Sequence, residues 1–317
     1  MLKEMGFYKG INLGGWFSQC DYSEDRLNNF INEEDIAKIA SWGADHVRIP
    51  VDYNVLEEDM GVYKADGFAR IDRAIEWCRK HNLNVVFDLH KTAGYSFDTG
   101  EKESGFFENE KLQERFCLLW EEIARHYGND PEHIAFELLN ELTLPDYIDA
   151  WNRVSGECIR RIRAIAPDTI ILVGSYYFNS AAAVKDLAAP YDAKVLYNFH
   201  CYEPLKYTHQ GAAWLAHMLN VEERIPFEES GVDEACFEEL FKSAIEAAKK
   251  NNTELYCGEY GVIDVVSPED TVKWYQTIHA VLEAHGIARA AWSYKEMDFG
   301  LSDARMDGVR DEILRYL

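Results

Sequence analysis

The run FELLNELTLP, residues 136–145, carries Glu137 and Glu141 four positions apart, with Asn140 directly ahead of the second. A second acidic run, GEYG at residues 258–261, carries Glu259. Carboxyls from two separate segments suit the hydrolysis of a glycosidic bond. One must be protonated to assist the departing oxygen, while the other is ionised to attack or to activate water. Other short runs offer supporting chemistry: Arg48 in RIP, His90 in DLH, His200 and Tyr202 in FHCYEP, and Trp292 in AWSYK. Arg48 and a nearby histidine or tyrosine could hold one glutamate ionised by charge and hydrogen bonding, and Tyr202 is the candidate partner of Glu259. Asn140 could bind a sugar 2-hydroxyl, a contact that strengthens in the transition state. Trp292 offers a flat apolar face for a pyranose ring. Taken singly, Arg48 also reads as a structural ion-pair partner, His90 and His200 as satisfied core histidines, and Trp292 as core. The set argues for a site more strongly than any member.

Such residues need a frame that brings distant segments together. Eight short β-rich apolar runs recur, at 6–12, 46–50, 84–90, 134–141, 169–175, 195–202, 254–261 and 288–295. Between them lie segments of helical periodicity, including Glu34 to Trp42, Gly67 to Lys80, Ala235 to Lys249 and Pro268 to His285, the last with proline in its first turn. Eight strands buried on both faces, each followed by a helix, describe a (β/α)8 TIM barrel of class α/β. No Pro/Gly/Ser linker or low-complexity tract divides the chain, so residues 1–317 read as one domain. A doubly wound open sheet is the alternative, but NLGGWF at 12–17 lacks the glycine spacing of a phosphate-binding turn.

In a barrel of this kind the chemistry sits at the C-terminal strand ends. Six of the eight runs end in a group suited to a site, namely Arg48, His90, Asn140 with Glu141, His200 with Tyr202, Glu259 and Trp292. The fourth and seventh strands face each other across the mouth, which suits a pair of catalytic glutamates. On a straight fourth strand Glu137 and Glu141 share one side, with Glu137 deeper and in need of a partner.

Composition narrows the ligand. A formal charge of −24 over 317 residues argues against nucleic acid and anionic membrane surfaces, because like charge repels phosphate. The opening residues carry no secretory signal pattern, which gives the expectation of a cytoplasmic protein. Seven scattered cysteines without CxxC fit reduced thiols in or near the core. The ten histidines are dispersed and HExxH is absent, so neither a metal nor another cofactor is expected. Nothing in the sequence speaks to oligomeric state. A phosphate-handling barrel would need a Gly-rich site after its last strands, and GEYG is too bulky there.

The runs RIP, DLH, LLNE, FHCYEP, GEYG and AWSYK, in this order from residue 7 to about 300, together resemble glycoside hydrolase family 5, which includes many cellulases. The resemblance implies a retaining mechanism with Glu141 as general acid/base and Glu259 as nucleophile. Arg48, His90, Asn140, His200, Tyr202 and Trp292 become the supporting, substrate-binding shell. It implies a β-linked oligo- or polysaccharide as substrate and, with LLNE and WSYK, leans towards an endo-β-1,4-glucanase. An exo-acting β-glucosidase or 1,3-glucanase and a β-mannanase are alternatives within the family, and a non-catalytic carbohydrate-binding barrel is one outside it. The family usually has proline after the acid/base, where this chain has Leu142. Two long aromatic loops, 91–110 and 203–231, either line a sugar groove or fold back over the rim. Trp16 has the same two readings.

Overall fold

A computed structural model describes residues 1–98, 100–215, 218 and 224–317. All eight expected strands form: β1 (Lys9–Asn12), β2 (His46–Asp52), β3 (Asn84–Lys91), β4 (Ile134–Glu137), β5 (Ile171–Val173), β6 (Val195–Cys201), β7 (Leu255–Tyr260) and β8 (Ala288–Ala291). They pair in parallel and in chain order, and β1 joins both β2 and β8, which closes the barrel. Closure leaves no strand edge and directs every C-terminal end to one face.

Helices sheathe this barrel where the sequence supplies an apolar face, and several begin at a side-chain cap. Asn32 and Asp35 form a reciprocal capping box at the start of Glu33–Ser41. Ser267 caps Pro268–His285, which ends at Gly286 in the left-handed conformation. Ala65–Lys80, Glu110–Tyr127, Ile148–Ile165 and Glu234–Asn251 are the other long helices among the described residues.

Two expectations are corrected. Among the described residues β5 is followed only by a short helix with left-handed residues and the 3-10 helix Ala181–Asp186, so the fifth unit lacks a full helix. The cause is local: Tyr177, Phe178 and Asn179 all adopt positive φ, which cannot propagate a right-handed helix. The fourth, fifth and eighth strands are also shorter than their apolar runs, ending at Glu137, Val173 and Ala291.

The barrel interior is layered. Val86, Ala135, Leu172, Leu196, Tyr256 and Ala290 belong to an apolar cluster that Phe7 and Tyr8 extend below. Towards the C-terminal end, Asn12, Arg48, Asp88, Glu137 and Asn198 form a polar set, every member at 0 % exposure. A buried polar layer in a barrel must be paired within itself, and this one carries the site.

Candidate active site

The run FELLNE bends where a straight strand was expected. Pairing of β4 stops at Glu137, and Leu138 and Leu139 both enter the outer core, with Trp120 Nε1 donating to the Leu138 carbonyl at 3.0 Å. The chain then turns Asn140 and Glu141 towards the barrel mouth. This corrects the single-sided spacing of Glu137 and Glu141, because two successive leucines facing outward break the strand alternation.

Glu137 has the partners its burial demands. The Arg48 guanidinium grips it through Nε to Oε2 and Nη2 to Oε1, both at 2.7 Å, and Asn198 Nδ2 donates to Oε1 at 2.8 Å. The same guanidinium donates to Glu259 Oε1 at 2.8 Å, Asn12 Oδ1 at 2.9 Å and Asn140 Oδ1 at 2.7 Å, and lies 3.0 Å from Asp88 Oδ2. Arg48 is thus the hub that joins β1, β2, β3, β4 and β7. Only a planar fork with five donors can serve so many acceptors at once. Asn140 spends its oxygen on Arg48, while its buried Nδ2 has no partner among the described residues and lies at the cleft.

Glu259 reaches the mouth through a register shift. Phe199 pairs with Cys257, but His200 pairs with Glu259, so Gly258 is an extra residue in β7. Without that bulge Glu259 would pair with Cys201 and face outward, since a one-residue slip reverses every side chain. A Cβ at position 258 would lie 2.8 Å from Asn198 Oδ1 and 3.1 Å from His200 Nε2, which explains the glycine.

The two glutamates meet across His200. Its Nδ1 lies 2.7 Å from Glu141 Oε1 and 3.6 Å from Glu259 Oε2, and one oxygen of each carboxyl lies within 4.8 Å of the other. So close an approach of one oxygen from each suits a retaining pair, whose carboxyls stand ~5–5.5 Å apart, better than an inverting pair, which leaves ~6.5–9.5 Å for its water.

Their surroundings differ in the way such chemistry requires. Burial and the charge of Glu259 push Glu141 well above the ordinary carboxylate range. Burial raises Glu259 as well, but Arg48, His90 and the Tyr202 hydroxyl, 2.8 Å from Oε2, oppose the rise. The proton of the pair therefore resides on Glu141, the one without a bond to Arg48. Burial holds His200 neutral, and its Nε2 has no partner among the described residues. A neutral imidazole with a free second nitrogen can accept from a protonated Glu141 or donate to an ionised one, so the contact survives both states.

His90 completes the floor. Its Nδ1 lies 2.5 Å from Asp88 Oδ2, burial lowers its pKa to about 4, and its ring lies parallel to Trp292 with centroids 6.0 Å apart. Burial pushes Asp88 and Glu137 up to about 7 against the pull of Arg48. By distance Glu141, His200 and Glu259 could also hold a cation, a grouping that linear spacing did not reveal. Within that group His200 Nδ1 already contacts Glu141 Oε1.

All eight residues singled out from sequence converge here. Seven line one cleft of about 610 Å³, and Arg48 lies beneath them. The loop aromatics divide between the two readings. Phe97, His209 and Trp214 line the cleft, whereas Trp16, Tyr95, Phe106, Phe107 and Tyr207 are buried in the core. Sequence reasoning passed over Asn12, Asp88 and Asn198, although each is a polar residue inside an apolar run, at the parity of the inward residues. It also passed over Tyr177 and Phe178, which the left-handed turn after β5 displays on the cleft wall at 57 % and 49 % exposure. Leu142 bears on that turn: its carbonyl accepts from Phe178 N at 2.8 Å, and its N–H, which proline would lack, makes a long 3.4 Å contact to Ser175 O.

Known proteins share this architecture along the chain. The family model for cellulase (glycosyl hydrolase family 5) matches residues 9–298. Cellodextrinase A of Ruminococcus flavefaciens is 59% identical over 289 residues, covering 91% of this chain and 86% of the relative. Endoglucanase C of Acetivibrio thermocellus is 39% identical over 339 residues, covering 99% and 98%. The structure of Thermotoga maritima Cel5A in complex with cellobiose superimposes with a TM-score of 0.83 at 26% identity, covering 99% of this chain and 98% of that one.

Proposed function

Because the chain belongs to glycosyl hydrolase family 5 and is a retaining glycoside hydrolase, we propose that it cleaves β-1,4-linked gluco-oligosaccharides, with Glu259 as nucleophile and Glu141 as acid/base. The observation that carries this reading is the pair of carboxyls within 4.8 Å, one bonded to Arg48 and Tyr202 and the other raised by burial.

In the first step a Glu259 oxygen bonds to the anomeric carbon. The bond to the leaving oxygen breaks as Glu141 gives that oxygen its proton. In the second, Glu141 takes a proton from water, the water oxygen bonds to the same carbon, and the bond to Glu259 breaks. Two inversions give net retention. The Arg48 and Tyr202 donors hold the Glu259 charge ready before attack, and they bear the carboxylate again as it departs.

The same roles orient the substrate. The glycone lies over Glu259 with its ring on Trp292, and the unpartnered Asn140 Nδ2 donates to a hydroxyl of that sugar. The leaving group must sit on the Glu141 side, where Tyr177 and Phe178 form the wall. A cleft of about 610 Å³ is the size of a small-ligand site, which favours short oligosaccharides. The names of the two curated relatives support a β-glucan substrate.

Replacement by alanine with azide rescue tests the assignment. Glu259→Ala with azide yields the α-glycosyl azide, and Glu141→Ala yields the β-glycosyl azide while retaining turnover of substrates with good leaving groups. Wild-type hydrolysis of cellotetraose by either variant would contradict the roles.

A further inference from the structure

The bulge that aims Glu259 is held by two asparagines, neither of which touches a substrate position. Gly258 has two peptide groups with no place in the regular ladder. Asn198 Oδ1 accepts from its N–H at 3.0 Å, and Asn12 Nδ2 donates to its carbonyl at 2.9 Å. Asn12 Nδ2 also reaches Ala290 O at 3.0 Å, tying the bulge to β8. Each asparagine turns its other end to the charge cluster. Asn198 Nδ2 donates to Glu137 Oε1 at 2.8 Å, while Asn12 Oδ1 accepts from Arg48 Nη1 at 2.9 Å, the nitrogen that also holds Glu259. Both side chains are fully buried, where a lost partner leaves a polar group unpaired.

The bulge and the ion-pair hub are therefore one construction. The backbone of Glu259 and its carboxylate are held from the same polar layer, through Gly258 on one side and Arg48 on the other. We infer that Asn12 and Asn198 are positioning residues that set the aim of Glu259 by clamping the Gly258 bulge and joining it to the Arg48–Glu137 pair. The inference rests on Glu259 being the nucleophile.

The probe is 2,4-dinitrophenyl 2-deoxy-2-fluoro-β-cellobioside, which traps the glycosyl-enzyme and needs little acid assistance, so its inactivation rate reads attack by Glu259. In Asn198→Ala and Asn12→Ala the rate constant for inactivation falls by about 100-fold, the size of a displacement on the order of 1 Å at a reacting atom. Binding of the probe stays near the wild-type value, because the residues lie below the sugar. Asn198→Asp keeps the acceptor for Gly258 and, while one proton is shared with Glu137, keeps the link to that carboxyl as well. Its inactivation rate stays near the wild-type value at acid pH and falls below it as pH rises and the shared proton is lost, because two carboxylates then face each other and the link breaks.

Folded alanine variants that inactivate at the wild-type rate would overturn the inference. So would an Asn198→Asp variant that follows the wild-type pH profile of inactivation, which decides the matter should the alanine variants fail to fold. Peptide mapping of the trapped wild type separates the two layers of the argument. A label on another residue overturns the reading of the site and this inference together. A label on Glu259 with unimpaired variants overturns the asparagine role alone.

Discussion

Tyr202→Phe removes one oxygen and leaves the ring, so it isolates a single hydrogen bond to the nucleophile. The hydroxyl donates to Glu259 Oε2 at 2.8 Å, and the ring packs on His209 and Phe299 with centroids 5.0 and 5.8 Å away. Arg48 holds only Oε1. A buried hydrogen bond to a charged group contributes about 1.5–3 kcal/mol. Each pKa unit corresponds to about 1.4 kcal/mol, so Glu259 should rise by about one to two units in the variant. The sign follows from the direction of the present bond: Tyr202 favours the ionised form, and its loss favours the protonated one. The acid limb of kcat/KM reports the free enzyme and should move to higher pH by that amount, narrowing the bell from its acid side. The assay is kcat/KM against pH on an aryl β-cellobioside. An acid limb that stays in place, with the variant folded, would refute the claim that this bond helps hold Glu259 ionised.

Two further outcomes follow from the buried layer. Glu137→Gln removes one member of a fully buried ion pair and should lower the free energy of unfolding by about 3–5 kcal/mol in urea titration; an unchanged midpoint would contradict the role of Glu137. His90 is buried with its pKa lowered to about 4 from the ordinary 6.5. Stability from its neutral form is complete above pH 6.5 and is lost as pH falls towards 4, because only the unfolded chain takes the proton. The stability advantage of the wild type over His90→Gln should therefore shrink by about 3 kcal/mol between pH 7 and pH 4, and a pH-independent difference would refute this account.

The barrel was legible because its signal is local. Each strand is an apolar run, and the groups at strand ends stand out against it. The places of Glu141 and Glu259 at the barrel mouth were legible for the same reason. What escaped is a property of pairs of strands. Gly258 becomes a bulge only against the register of β6, and no feature of GEYG alone shows that Glu259 would otherwise face outward. The partner of Glu137 lies 89 residues away on β2, so sequence showed the need for a partner and not its identity. The bend at Leu138 and Leu139 depends on the outer core and Trp120 accepting both leucines. The fifth unit misled because the strand–helix pattern of its neighbours was carried over to it, whereas three consecutive residues took the left-handed conformation.

Double displacement by two carboxyls with oxygens within 4.8 Å of each other leaves a stereochemical record. Proton NMR of the anomeric signals during the first minutes of cellotetraose hydrolysis, before mutarotation, reads that record. The β-anomer of the new reducing end should appear first, and the α-anomer should grow in later. Initial release of the α-anomer would contradict double displacement.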